Sequence, residues 1–172
     1  MTVTSASVSA PSSSAAPDPH LPVVSDLDLL RRVREFVPVA VRRQLWTLFL
    51  DADDVQLPMV VPLEGIPHWP DRLVAERWGD ALAAVSAEFG AVAVVFVLER
   101  PGASADTPSD VAWREVLTGL AGTRCYAVRA VFTCATDGVV ALPGARKEST
   151  RDASRGQSSP RRLRLSEELT VR

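Results

Sequence analysis

Apolar positions recur along this chain with a period that changes several times, and each change marks an element. Over residues 71–89, apolar side chains at 74, 78, 81, 82, 85 and 89 fall at helical spacing, and Gly90 stands where a left-handed residue would end the helix. The next run, AVAVVFVL at 91–98, is unbroken and rich in β-branched residues, which predicts a central strand covered on both faces. Thr107, Pro108 and Asp110 then supply an N-cap, a first-turn proline and an acidic third position ahead of a stripe at 113, 116, 117 and 120.

Upstream, Ser25 with Asp28 predicts the start of a short amphipathic helix through Leu29, Leu30, Val33 and Phe36, ended near Pro38. LWTLFL at 45–50 and VQLPMVVPLE at 55–64 flank an acidic turn and predict a hairpin. Its second strand carries Pro58 and Pro62, which cannot donate to a ladder, so it must lie at a sheet edge, bulge or break. Residues 65–71 predict a loop, 125–133 a strand, and Asp137-Gly138 a turn into a short returning strand at 139–142. The order α-β-β-α-β-α-β-β is that of an α/β domain: a single mixed sheet with helices packed on it, in which 91–98 crosses through a helix to a parallel 125–133.

Composition separates the ends from the middle. At 172 residues one domain is expected, and the serines and prolines crowd the termini. Residues 1–24 and 145–172 are expected to be disordered tails around a domain at 25–144, apart from a short helix at 163–169, so removing either tail should leave the fold intact. The domain holds 11 basic and 16 acidic side chains, a net of −5, whereas 145–172 holds 8 and 4, a net of +4. An acidic domain repels phosphate backbones, so any nucleic-acid association is expected to be weak and confined to the basic tail.

Cys125 and Cys134 lie in or beside an apolar run and are expected to be buried thiols, which suits a cytoplasmic protein. The first twenty residues lack a basic start and a continuous apolar stretch, so no secretory signal is expected there, and no apolar run approaches the ~20 residues of a membrane span.

Ligands of parallel α/β sheets favour the crevice beyond the strand ends, here the loop 99–106 and the helix start after it. Glu99, Arg100, Ser104, Asp106 and Ser109 are the groups that could position a polar or anionic ligand there, with no metal and no cofactor. His68 and Trp69, flanked by Pro67 and Pro70, form a second candidate, a rigid exposed loop of the kind that marks a partner surface. The edge strand at 55–63 offers a partner a place to add a strand. No GxSxG, phosphate-binding, dinucleotide-binding or HExxH motif occurs.

Leu98-Glu99-Arg100-Pro101, Thr107-Pro108-Ser109-Asp110-Val111-Ala112, and the closing Asp-Gly turn with its short strand together give the stretch 45–142 a resemblance to the RadC-like branch of the JAB/MPN metalloprotease-type domains. The resemblance implies a hairpin, a helix, and an apolar strand ending in His-x-His-Pro before a Ser-x-x-Asp on the next helix. Here Leu98 and Arg100 stand at the histidine positions and Ala112 at the metal aspartate, while Pro101 and Ser109 match. An aliphatic chain, a permanently protonated guanidinium and a methyl group cannot hold zinc. Glu64 falls where the family keeps a catalytic glutamate, with no metal-bound water to activate. The expectation is a pseudoenzyme that binds a protein partner; the runner-up functions are a metal-independent enzyme or small-ligand binder at 99–106, and weak nucleic-acid association through the tail.

Overall fold

The computed structural model describes residues 18, 20–122 and 124–141; most of the expected N-terminal tail, the basic tail and the short helix at 163–169 lie outside the described residues. The elements are α1 (Asp26–Phe36), β1 (Gln44–Leu50), β2 (Gln56–Glu64), α2 (Arg72–Phe89), β3 (Ala93–Glu99), α3 (Pro108–Gly119), β4 (Ala127–Ala135) and β5 (Gly138–Ala141). They form one five-stranded mixed sheet in the order β2-β1-β3-β4-β5, the architecture that the apolar pattern predicts. β3 pairs antiparallel with β1 and parallel with β4, the chain crossing through α3 between the parallel pair.

Every residue of β3 is buried because its two faces meet different helices. Val94, Phe96 and Leu98 pack with Leu45, Phe49, Ala75, Leu82, Trp113 and Leu117, so α2 and α3 cover one face. Val95 and Val97 pack with Leu48, Leu50, Leu29, Val33 and Phe132, so α1 covers the other. The period of two along the strand thus gives three layers from one apolar run.

β2 is an edge strand, and its prolines fit for a reason visible in the register. Arg100 N–H bonds to the Cys134 carbonyl, so even-numbered residues at this end of β3 direct their backbone groups toward β4 and odd-numbered ones toward β1. Carried across the pairs Glu99–Gln44 and Val97–Trp46, the alternation turns Leu45 and Thr47 toward Leu63 and Val61 of β2. Pro62, opposite Trp46, therefore faces outward, and its missing donor costs the ladder nothing. Pro58 falls in the stretch where the register shifts between Leu48 and Leu50. Pro62 thus removes a donor from the free edge at that point, which makes it a poorer template for strand addition.

Three expectations change. The apolar face of α2 is rotated: Ala75, Gly79, Leu82 and Ser86 are the buried positions, whereas Val74 and Phe89, placed inward from the spacing, are more than half exposed. At Gly79 there is no room for a side chain, since a Cβ there would come within 2.9 Å of the Arg124 guanidinium carbon. The N-terminal boundary also moves outward. Val23 is buried in the α1 face and its N–H bonds to the Asp54 carbonyl, while Arg32 of α1 donates to the carbonyls of Asp18 and Leu21. Val23 thus packs with the domain, although the residues around it are exposed. Cys125 is exposed rather than buried; Cys134 is buried as expected.

Candidate functional site

Glu99 and Arg100 are sequence neighbours, and alternation sends their side chains to opposite faces of the sheet. Glu99 turns toward the α1 face, where its carboxylate accepts from Val41 N–H at 2.7 Å, Arg42 N–H at 3.1 Å, Trp46 Nε1 at 2.8 Å and the Gln44 amide. Burial pushes this carboxyl upward, but the bonds from Gln44, Val41, Trp46 and Arg42 outweigh it and hold the group below the usual carboxylate range. A carboxylate only 2% exposed, with four donors on it, clamps the α1–β1 connection to the sheet.

Arg100 turns to the α3 face and meets Asp110, which is fully buried. Its Nε lies 2.8 Å and 2.9 Å from the two carboxylate oxygens and its Nη2 2.6 Å from one of them. The remaining donors go to the carbonyls of Ala103 at 2.7 Å and Ala105 at 2.9 Å, so the guanidinium is wrapped by its own loop. Asp110 also accepts from Thr107 N–H, closing the capping box of α3. Burial raises its carboxyl, and the bonds from Arg100 and Thr107 then pull it below the ordinary value. Gly102 and Ser104 fasten the loop to Thr136 and Asp137 at the β4–β5 turn. Asp106 stands apart on the rim, 3.8 Å from Arg114.

The structure therefore leaves little of the 99–106 loop to meet a ligand: Glu99 and Arg100 are separated by the sheet, and both are engaged by protein donors and acceptors. Leu98 is in the core, Ala112 is half-buried, and Glu64 is exposed at the end of β2 in an ion pair of 3.3 Å with Arg42. Among the described residues no three of His, Cys, Asp and Glu gather as metal ligands would. The Cys134 thiol is pushed up to about 11, chiefly by burial and then by the Glu99 carboxylate, so it is not a poised nucleophile.

Ser109, His68 and Trp69 do come together, though through backbone. The His68 carbonyl accepts from Arg43 Nη2 at 2.9 Å, from Trp113 Nε1 at 3.2 Å and from the Ser109 hydroxyl. Arg43 also bonds to the Pro67 carbonyl at 3.1 Å and to Ser109 Oγ at 3.0 Å. Ser109 is thus a strut, and Arg43, which no sequence motif singles out, is the other. Their product is a fixed loop that presents its side chains outward: the His68 ring stands edge-on to Trp69 at 5.3 Å, and Trp69 is 55% exposed.

Under that loop lies a cleft of about 580 Å³. Leu45, Leu63 and Ile66 form its floor side, Trp113 and Leu117 come from α3, and Val74, Ala75 and Trp78 from α2. Its charged lining residues are Glu64 and Asp71. Leu73, 75% exposed, and Val74, 54% exposed, extend the apolar surface beyond Trp69 along the first turn of α2. The exposed loop at 65–71 was legible in the sequence; the cleft behind it was not, because its walls come from three separate stretches of chain, at 45, 63–78 and 113–117.

Among the described residues no helix is long and apolar enough to cross a membrane. No protein-family model matches the chain, and no curated protein matches it.

Proposed function

We propose that this domain is a non-catalytic protein-interaction module that receives an apolar segment of a partner in the cleft beneath Trp69. The observation that carries the reading is the coincidence of a rigidly braced, exposed tryptophan with an apolar cleft large enough for two or three side chains. Exposed apolar surface is costly in water, and here Trp69, Leu73 and Val74 are held out by an N-capped helix and a clamped loop rather than folded inward.

We read the module as a RadC-like JAB/MPN pseudoenzyme whose metal face has been rebuilt as structure. Supporting this is the approach of the end of β3 to the start of α3, where the resemblance would bring its ligands together, although Arg100 there meets Asp110 rather than position 112. The residues at the three ligand positions do not suit zinc, so no hydrolytic step is derived. Two cysteines that are both free thiols support a cytoplasmic setting.

The test is a peptide library panned against the full chain and against its Trp69→Ser/Leu73→Ser variant. Peptides with apolar anchors should enrich on the first and disappear on the second. Equal enrichment on both, or none on either, overturns the reading.

A further inference from the structure

The cleft has an occupant available within this chain. Among its fourteen lining residues the charged ones are both carboxylates, Glu64 and Asp71, and the rest of the wall is almost entirely apolar. A complementary segment would carry aliphatic side chains interleaved with cations. Residues 161–165 read Arg-Arg-Leu-Arg-Leu, with Leu169 following. Elsewhere the basic tail offers cations without leucines.

Geometry allows the encounter. The described chain ends at Ala141 on β5. Across the sheet Ala141 is level with Phe132, Val97, Trp46 and finally Pro62, the residue before Leu63 and Glu64 of the cleft wall. Four strand spacings of about 4.8 Å separate β5 from β2, roughly 19 Å. Residues 142–160, nineteen in number and mostly polar, connect Ala141 to the cationic segment. The chain length between Ala141 and the segment is enough: random-coil statistics give nineteen residues a root-mean-square span of about 24 Å, which covers the distance. Such a tether holds the segment near the cleft at an effective concentration in the millimolar range, so even weak affinity fills it.

We propose that residues 161–165 of this chain dock in the cleft beneath Trp69, with Leu163 and Leu165 against the apolar wall and the arginines toward Glu64 and Asp71, the acidic Glu167 and Glu168 falling after the docked segment in the sequence. The inference rests on the cleft being a docking site and adds its regulation: the tail is a built-in competitor that a partner must displace. Occupancy is set by the tether, so a partner segment must bind tightly enough to overcome a millimolar local ligand.

The full chain labelled with ¹⁵N reports through the indole N–H signals of its four tryptophans. In the Leu163→Ser/Leu165→Ser chain the Trp69 and Trp78 signals should shift, and a synthetic peptide of residues 160–172 should restore their positions. Adding Glu64→Gln should weaken that restoration by roughly twofold to fivefold. Indole signals unmoved by both the leucine substitutions and the peptide overturn the proposal. Shifts that vary with protein concentration also overturn it, in favour of a tail supplied by a second copy. Panning the library on the leucine variant separates the two readings. Enriched peptides with unmoved indoles sink the tail inference alone, and restored indoles with no enriched peptide sink the partner reading alone.

Discussion

The exit of β3 and the cleft beneath Trp69 are both built against α3, and they use polarity in opposite ways. At the exit, charged groups are drawn into the protein: Glu99 meets four donors and Arg100 a buried carboxylate, so what looks like a reactive loop is a pair of brackets. At the cleft, polar atoms of backbone and side chain hold a loop still while apolar groups remain in water. The charged groups of the exit are matched by the protein, whereas the cleft leaves apolar side chains uncovered, and Trp78 Nε1 in its wall has no hydrogen-bond partner among the described residues.

Breaking the exit should have the largest effect. Arg100→Ala leaves Asp110 fully buried without its cation, which is expected to destabilise by about 3–5 kcal/mol in chemical denaturation. The pH dependence should change as well. In the wild type the lowered Asp110 carboxyl contributes stability above the ordinary carboxylate range, and that contribution is lost as pH falls through the lowered value. Without Arg100, burial dominates and the carboxyl moves up, so the variant should regain stability on acidification while the wild type loses it. A gap between the two that stays constant from pH 7 to pH 4 would show that the pair does not govern this end of the domain.

Glu99→Gln tests the same region on the opposite face. The amide keeps one acceptor but turns an NH₂ toward donors, for an expected loss of roughly 1–3 kcal/mol. Because Glu99 is held below the usual carboxylate range, its contribution is present above that range and fades as pH falls through the lowered value. The variant's acid limb should therefore be flatter than the wild type's, read as denaturation midpoint against pH.

How much of this the sequence made legible depends on how local each cause is. Helices, strands and the parallel crossover came from periodicity and caps, which act within a few residues of chain. Loop position groups Glu99 with Arg100 in one candidate site, but extending the alternation of Val95, Val97 and Phe96, Leu98 by one residue each assigns them to opposite faces, as the structure has them. The burial of Val23 was not legible, because nothing local separates it from its exposed neighbours Leu21 and Val24; the segment is held by Arg32, which bonds to carbonyls 11 and 14 residues upstream. Nor was the rotation of the buried face of α2, where Arg124 lies against Gly79 and bonds to Glu76 and Asp80. Arg43 carries no local signature at all; its partners lie 24 to 66 residues away.

The smaller effects belong to the cleft. Ser109→Ala removes one donor to the His68 carbonyl and one acceptor for Arg43, but Trp113 and Arg43 still hold that carbonyl, so a loss of about 1 kcal/mol is expected. Faster amide exchange across 65–70 should accompany it, and unchanged exchange would remove Ser109 from the clamp.

Trp69→Ala should change stability least, by no more than about 0.5 kcal/mol, because the indole is more than half exposed. The loop is held through the carbonyls of Pro67 and His68, and the Trp69 side chain contributes to none of those bonds. The substitution should therefore leave denaturation midpoint and amide exchange in place while abolishing capture of apolar peptides. A stability loss as large as that of Ser109→Ala would mean that Trp69 packs to hold the fold. The cleft would then be one more bracket, and the contrast with the β3 exit would vanish.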